Sequence, residues 1–386
     1  MRIAYWFIGL IIQCSSIFLM ETLQAEVIHS KYPADISFLV VDLKYNEREG
    51  VKICEVQHGI LSTFFGDKFN EGNKGVIPGK FLEILSQYHS RAWAIGRISA
   101  DPGVVEEIQH SPDWSVKSNI KKLLADSDFI ESAHLPVHDP YDLYQYHGLL
   151  YIRPSKNINI RLLQQNYPGI LIMDMPTHSY WIDKYKMSEL FNRNPTLSKY
   201  KPKWGLYPKE YSEDLAKTII DELKCDIFVI KPRGAFLGNG VIIVSKKDLG
   251  STLKYILTGS GDLSKDEDKS YNHWSKDQYD SFIVEEFIYS DPIAIPHLDN
   301  KIYEPTMRIA AVLIYHQNQI SIEYLGSYWL LPCSSIDEGN TLNEMYKAYC
   351  KEPYYAKPDP QILSIVKEQA LEALQLLYKE MLISDE

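Results

Sequence analysis

The chain has 386 residues, a formal net charge of −11, 45% hydrophobic residues and 24% charged residues. That length and mix suit two or three domains and a large core that needs no disulfide or metal staples. The acidic balance, with no long Lys/Arg run, excludes a nucleic-acid backbone as the main partner and leaves room for a locally basic pocket.

Arg2 is followed by IAYWFIGLIIQCSSIFLM, uncharged from Ile3 to Met20, and then by ETLQA. A basic start, an apolar stretch and the small Ala25 before Glu26 form the pattern of a secretory signal peptide, and the length also suits a membrane anchor. Residues 1–26 are thus expected to export or anchor the chain, with membrane contact confined to residues 3–20. A start at Met20 would instead leave a cytoplasmic protein. The five cysteines, Cys14, Cys54, Cys225, Cys333 and Cys350, have neither CxxC nor zinc spacing and read as small buried residues.

Beyond residue 26, strand and helix signals alternate. ISFLVVDL and VKICEV (51–56) are strand runs, GKFLEILSQY (79–88) has helical spacing, and RAWAIG (91–96) reads as a strand. SVKSNIKKLLADSDFIESA (115–133) predicts one helix with Ser115 as N-cap; HLPVHDPYDLYQYHG (134–148) is a loop. GILIMDMP (169–176) predicts a buried strand and HSYWIDKYKMSELF (178–191) a helix. The stretch 192–211, with Pro195, Pro202 and Pro208, reads as a linker. SEDLAKTIIDELK (212–224) predicts an amphipathic helix capped by Ser212. Residues 259–278 form a polar loop and SFIVEEFI (281–288) a strand. MRIAAVLIY (307–315) and ISIEYLGSYWLL (320–331) form an antiparallel pair across HQNQ, and 359–382 is one long helix. The fold class is α/β (α+β).

The most informative stretch is FVIKPRGAFLGNGVIIV (228–244), which places Lys231 before Gly234, Gly238 and Gly240, between two strand runs. A Walker loop needs GxxxxGK[ST] leading into a helix, and a dinucleotide fingerprint also opens a helix. A protein-kinase loop is strand–loop–strand, but its lysine follows the glycines, and no HRD or DFG triplet occurs here. What remains is a glycine hairpin that could lie as a lid over a nucleotide. Taken singly, each residue has a plain alternative: a structural turn for the hairpin, a solvated helix lysine for Lys184, an ion-paired strand residue for Arg308.

In order along 178–382, these features resemble the ATP-grasp superfamily of glutathione synthetase-like ligases. Asp183-Lys184 resembles the family's early nucleotide lysine, and IKP with Gly238-Asn239-Gly240-Val241 its second lysine and glycine lid. FIVEEFI resembles the hinge strand, and TMRIAAV the D-x-R segment, with Thr306 in place of the acid. GSYWLLP stands where relatives carry a substrate- or phosphate-facing hairpin. The resemblance implies ATP as cofactor. Lys184 and Lys231 would meet the α- and β-phosphates, and Gly234, Gly238, Asn239 and Gly240 would form the lid. Glu285 would accept from the adenine amino group or orient Lys231. The backbone of Glu286 and Ile288 would meet the adenine edge, and Arg308 would stabilise the transferring γ-phosphate.

It also implies Mg²⁺ (or Mn²⁺), held in relatives by a carboxylate and a Glu-x-Asn pair on strands after a helix like 359–382. This sequence ends at Glu386, so the C-terminal subdomain reads as truncated, and Glu338-Gly339-Asn340 is the candidate for supplying Glu338 and Asn340 as metal ligands. The alternative is that Asp337 or Asn340 caps the next helix. His134, His138 and Asp139 sit close together as a metal set or as an ordinary surface loop. EVQHG (55–59) either lines a substrate pocket or is a plain strand end.

The expected organisation is an export or anchor segment (1–26), an N-terminal α/β substrate domain of the kind that precedes an ATP-grasp fold (27–177), a lid subdomain (178–290) and a C-terminal subdomain (291–386). By resemblance, the chain would activate a small-molecule or peptide carboxylate as an acyl phosphate for attack by an amine or thiol acceptor. A nucleotide-binding pseudoenzyme or interaction module, and an exported binding protein without nucleotide, are the other readings.

Overall fold

The computed structural model describes residues 28, 30–59, 64–72, 75–89, 91–95, 114–152, 158–180, 183–235, 238–259 and 270–384. The expected export or anchor segment lies outside the described residues. Among the described residues, no helix is long and apolar enough to cross a membrane.

The first elements are a hairpin of β1 (Asp35–Asn46) and β2 (Gly50–His58), followed by α1 (Phe65–Glu71) and α2 (Ile77–Tyr88). A parallel sheet comes next: β3 (Ala92–Ile95), β4 (Trp114–Lys117), α3 (Ile120–Leu123), α4 (Ser127–His134), β5 (Leu149–Ile152), α5 (Ile160–Asn166) and β6 (Leu171–Ile172), in the order β4-β3-β5-β6. The single helix expected over 115–133 is therefore a strand and two short helices. Ser115 lies inside β4. Asn119 and Asp126 each restart the helix, their side chains accepting from Lys122 N and Phe129 N, because such short polar side chains favour caps over helix interiors. The strand expected at 169–176 shrinks to two residues. Asp174 turns the chain there at φ +65 and accepts the Phe38 N–H at 2.7 Å.

The helix expected from 178 starts at α6 (Lys184–Arg193), with Asp183 as N-cap. The expected linker is structured, holding α7 (Pro195–Ser198) and β7 (Trp204–Pro208). Then come α8 (Leu215–Leu223), β8 (Ile227–Pro232), β9 (Ile242–Ser245), α9 (Leu249–Thr258) and β10 (Ser281–Glu286), whose sheet runs β7-β10-β8-β9. Asp214, not Ser212, occupies the N-cap of α8. Phe228, Ile230, Val244, Phe282 and Val284 of this sheet pack on Leu215, Ile219 and Leu253 of α8 and α9.

A small ribbon, β11 (Ile293–Ile295) and β12 (Lys301–Tyr303), leads to β13 (Thr306–His316) and β14 (Gln319–Leu330). Their tight turn puts Gln317 and Asn318 at φ +50 and +64, the twist that two-residue hairpins need. The chain continues through α10 (Leu342–Tyr346), β15 (Tyr355–Ala356) and α11 (Pro360–Ile383).

The largest sheet runs β15-β14-β13-β1-β2. The first two strands, from residues 27–177, thus lie in one sheet with β13, β14 and β15. Alternation sorts the two faces of this sheet. Leu39, Val41, Leu43, Met307, Ile309, Ala311 and Leu313 face α6 and α11. Ile36, Phe38, Val40, Ala310, Val312 and Ile314 face α2 and the parallel sheet. Along this second face the pattern then turns charged, at Asp42 and Lys44 on β1 and at Arg308 on β13.

Asp35 anchors the seam between these parts. Its carboxyl is fully buried and accepts from Ser37 Oγ, Tyr378 Oη and Met175 N. Burial pushes it up to about 7, against the pull of those hydrogen bonds. A native carboxyl held above its unfolded value gives stability that is full below the unfolded pKa and lost as pH rises through the folded one. Asp35→Asn is expected to gain more over the wild type at pH 8 than at pH 5, by roughly 2–3 kcal/mol, read by urea unfolding at both pH values.

Candidate functional site

The charged stretch of the large sheet and the inner face of the β7–β10 sheet enclose a cavity of about 380 Å³. Its floor follows from strand register. Asp42 stands opposite Glu55 on β2 and opposite Arg308 on β13, and Arg308 stands opposite Tyr328 on β14. One row across four strands thus carries Glu55, Asp42 and Arg308 on the same face, and Gln57 follows two residues after Glu55. Arg308 grips Asp42 in a fork, Nε to Oδ1 and Nη2 to Oδ2, both at 2.7 Å. Gln57 Nε2 reaches Asp42 Oδ2 at 3.3 Å.

A bulge lies in β2. Register shifts between Asp42 and Leu43, whose partners are Glu55 and Ile53, so Cys54 is left without a ladder partner. Bulges re-aim side chains and free backbone groups at sites of this kind. Here both Cys54 and Glu55 line the cavity, and the Cys54 carbonyl accepts from Lys231 Nζ at 2.9 Å.

The roof is the hairpin of β8 and β9, antiparallel from Ile227↔Ser245 to Ile230↔Ile242. Gly240 sits at φ +74, where an added Cβ would meet Pro232 Cγ at 2.5 Å. Its carbonyl accepts from the buried Trp274 indole at 2.9 Å, which pins the hairpin tip. Arg233, just past β8, forks onto Asp183 with both contacts at 2.7 Å, and its guanidinium lies about 5 Å from the ring centres of Tyr185 and Tyr279. That clamp fixes the start of α6 against the hairpin. Lys184 then donates to Ala235 O and pairs with Glu55 at 3.2 Å.

At the inner wall, Glu285 Oε2 takes Lys231 Nζ and Glu285 Oε1 takes Lys201 Nζ, the latter at 2.6 Å. Burial pushes the Glu285 carboxyl upward, but the two ammonium groups outweigh it and hold the group below the usual carboxylate range. Glu55 behaves alike: burial is outweighed by Lys184 and Lys231. At the back wall Glu286 N donates to Lys203 O and Phe287 N to Ile227 O, while the Glu286 carboxylate accepts from Lys203 N at 2.8 Å. A strap after β14 closes the rim. Asn343 Oδ1 accepts the Ile243 N–H at 2.9 Å, and Lys347 Nζ donates to Val241 O at 3.0 Å. Tyr346 lies against Phe287 with ring centres 5.0 Å apart.

Of the residues expected from sequence, Lys184, Lys231, Gly238, Glu285, Glu286, Ile288 and Arg308 all line the cavity, as does Thr306. Others lie elsewhere. Gly234 is packed so that a Cβ would meet Tyr279 at 2.4 Å, Asn239 is exposed, and Gly240 shapes the turn from within. Glu338 and Asn340 are exposed and off the cavity. Glu338 pairs with Lys301 at 3.0 Å and Ser335 at 3.2 Å, and the Asn340 N–H donates to Glu344. Neither Asp337 nor Asn340 caps α10; Thr341 does, in a capping box with Glu344.

EVQHG is the end of β2 itself, and Glu55 and Gln57 line the cavity. Among the described residues, no group of three or more His, Cys, Asp or Glu is arranged to hold a metal, which removes the His134, His138 and Asp139 set. The four described cysteines are free thiols, three half-buried and Cys350 exposed, so none is the buried filler expected. Asp42, Lys44 and Lys347 also line the cavity and were not singled out by the sequence.

No protein-family profile matches the chain, and no curated protein matches it. Among solved structures it is similar to a Methylobacillus flagellatus protein provisionally named gamma-glutamylcysteine synthetase, at 12% identity and a TM-score of 0.45, over 90% of this chain and 89% of that one. It is also similar to a glutathione synthetase-like effector from Globodera pallida in its apo form, at 11% identity and TM-score 0.42, over 78% and 73% of the two chains. A third is D-alanyl-alanine synthetase A from Vibrio cholerae, at 8% identity and TM-score 0.40, over 76% and 82%.

Proposed function

We propose that the cavity binds ATP with Mg²⁺ (or Mn²⁺) and that the chain is an ATP-grasp ligase-like enzyme. The γ-phosphoryl group passes to a small-molecule or peptide carboxylate, and an amine or thiol then displaces phosphate from the acyl phosphate. The observation that carries this reading is the row Glu55–Asp42–Arg308, which shares one cavity with Lys184 and Lys231 beneath a glycine hairpin. Lysines and an arginine at a buried site suit a polyphosphate, and Arg308 suits a transferring phosphoryl group because its planar fork spreads charge over several oxygens. Apolar Pro202, Val229, Ile243 and Phe287 at the back wall suit a purine ring.

Asp42, Glu55 and Gln57 supply hard oxygen donors on the cavity floor and fit Mg²⁺, which takes one or two carboxylates and completes its shell with water and phosphate oxygens. When bound, the ion neutralises phosphate charge. The chain's own residues orient the nucleotide and exclude water, so their work is positioning more than covalent chemistry. In this reading the metal ligands lie on the first hairpin and not at Glu338 and Asn340.

Thermal shift with ATP, with and without Mg²⁺, tests this reading. Stabilisation by ATP that grows with Mg²⁺ is expected. Glu338→Gln should leave the Mg²⁺-dependent part unchanged, and Glu55→Gln should weaken Mg²⁺-supported ATP binding by roughly tenfold or more, on the scale of a lost charge-assisted contact. The fork of Arg308 on both oxygens of Asp42 favours a second reading, a nucleotide-binding module without a metal. ATP stabilisation that ignores Mg²⁺ would support that module instead.

A further inference from the structure

Lys201 lies between α7 and β7 and was not singled out by the sequence. It lines a narrow crevice behind the cavity wall, with Ile53, Met187 and Phe191. Its ammonium and that of Lys231 occupy the two oxygens of Glu285, and all three side chains are at most 8% exposed. Two ammonium groups share this one carboxylate, and Glu55 is the next negative charge toward Lys231. Buried ammonium groups are costly unless anions meet them.

The arrangement solves a problem set by the nucleotide reading, on which this inference rests. Lys231 cannot turn from Glu285 to a phosphate without stripping a buried carboxylate, unless a second cation stays behind. We propose that Lys201 is a positioning residue that retains Glu285 when Lys231 turns to the nucleotide phosphates. Lys201 itself stays behind the wall. Lys231 moves its donors from Glu285 and the Cys54 carbonyl toward the ligand. The geometry also assigns different consequences to the two lysines: loss of Lys201 leaves a balanced Lys231–Glu285 pair in the empty protein and an unbalanced carboxylate only in the nucleotide complex.

The test is calorimetric binding of ATP and of adenosine to the wild type, to Lys201→Met and to Lys201→Met/Glu285→Gln, with a melting curve for each. Lys201→Met is expected to melt at or above the wild-type temperature. It should bind ATP about 30-fold more weakly and adenosine within about twofold of the wild type, on the scale of one buried charge contact. The double variant should regain most of the ATP affinity, because a neutral amide needs no cation. Unchanged ATP affinity in Lys201→Met would overturn the inference and leave the nucleotide reading standing. Equal weakening of ATP and adenosine would mark Lys201 as wall packing and overturn it too, as would a double variant no better than Lys201→Met. A folded wild type that binds no ATP would remove the nucleotide reading and this inference together.

Discussion

Lys231→Ala is expected to remain folded and to lose the stabilisation that ATP confers. In the empty protein Lys201 still holds Glu285 at 2.6 Å, so the buried carboxylate keeps a partner. The Cys54 carbonyl loses its donor, a cost of about 1–3 kcal/mol that a chain of this size can absorb. In the nucleotide complex the loss is larger, because the phosphates then lack the cation that the hairpin strand presents beside the bulge at Cys54. ATP affinity should fall by about 30-fold or more, and the melting temperature should no longer respond to ATP at concentrations that shift the wild type. A fully retained shift would remove Lys231 from the site.

Asp42→Ala should have the opposite character, with its main effect on folding. Arg308 and Asp42 are both under a tenth exposed and joined by two bonds of 2.7 Å. Removing the carboxylate strands a buried guanidinium, which typically costs about 3–5 kcal/mol. Urea unfolding of Asp42→Ala should show a loss on that scale. Asp42→Ala/Arg308→Met should recover part of it, since no unpaired charge is left. A loss below about 1 kcal/mol in the single variant would mean that cavity water already screens the pair.

The two variants also separate what was legible in the sequence from what was not. Lys231 could be found because its signal is local: a lysine, three glycines and two flanking strand runs lie within 228–244. The β13–β14 pair was legible for the same reason, through the short polar HQNQ between two strand runs. Asp42 was hidden. Its strand is apolar on both faces, with β1 buried from Asp35 to Tyr45, so the charged end of one face does not stand out in the one-dimensional pattern. Its partners Glu55 and Arg308 are 13 and 266 residues away, and only strand pairing brings them into a row. The family resemblance pointed past the last helix for metal ligands, whereas two of the cavity's carboxylates, Asp42 and Glu55, come from the first hairpin.

The misread elements have local causes as well. Asn119 and Asp126 break a helical-looking run because their side chains cap new helices. Three prolines made 192–211 look like a linker, yet Pro195 opens α7 at a position where proline is well suited, and Pro208 ends an edge strand of the lid sheet. Lys201 sits in that same stretch, so the misreading also concealed the second cation on Glu285.

The central claim is that the two sheets close over a metal–nucleotide. A crystal structure of the protein with a non-hydrolysable ATP analogue and Mg²⁺ tests it most directly. The expected result is the purine against residues 286–288, the phosphates between Lys184 and Lys231, and the ion on Asp42 and Glu55. An analogue bound away from this cavity, or no binding at concentrations that saturate ordinary ATP sites, would contradict it.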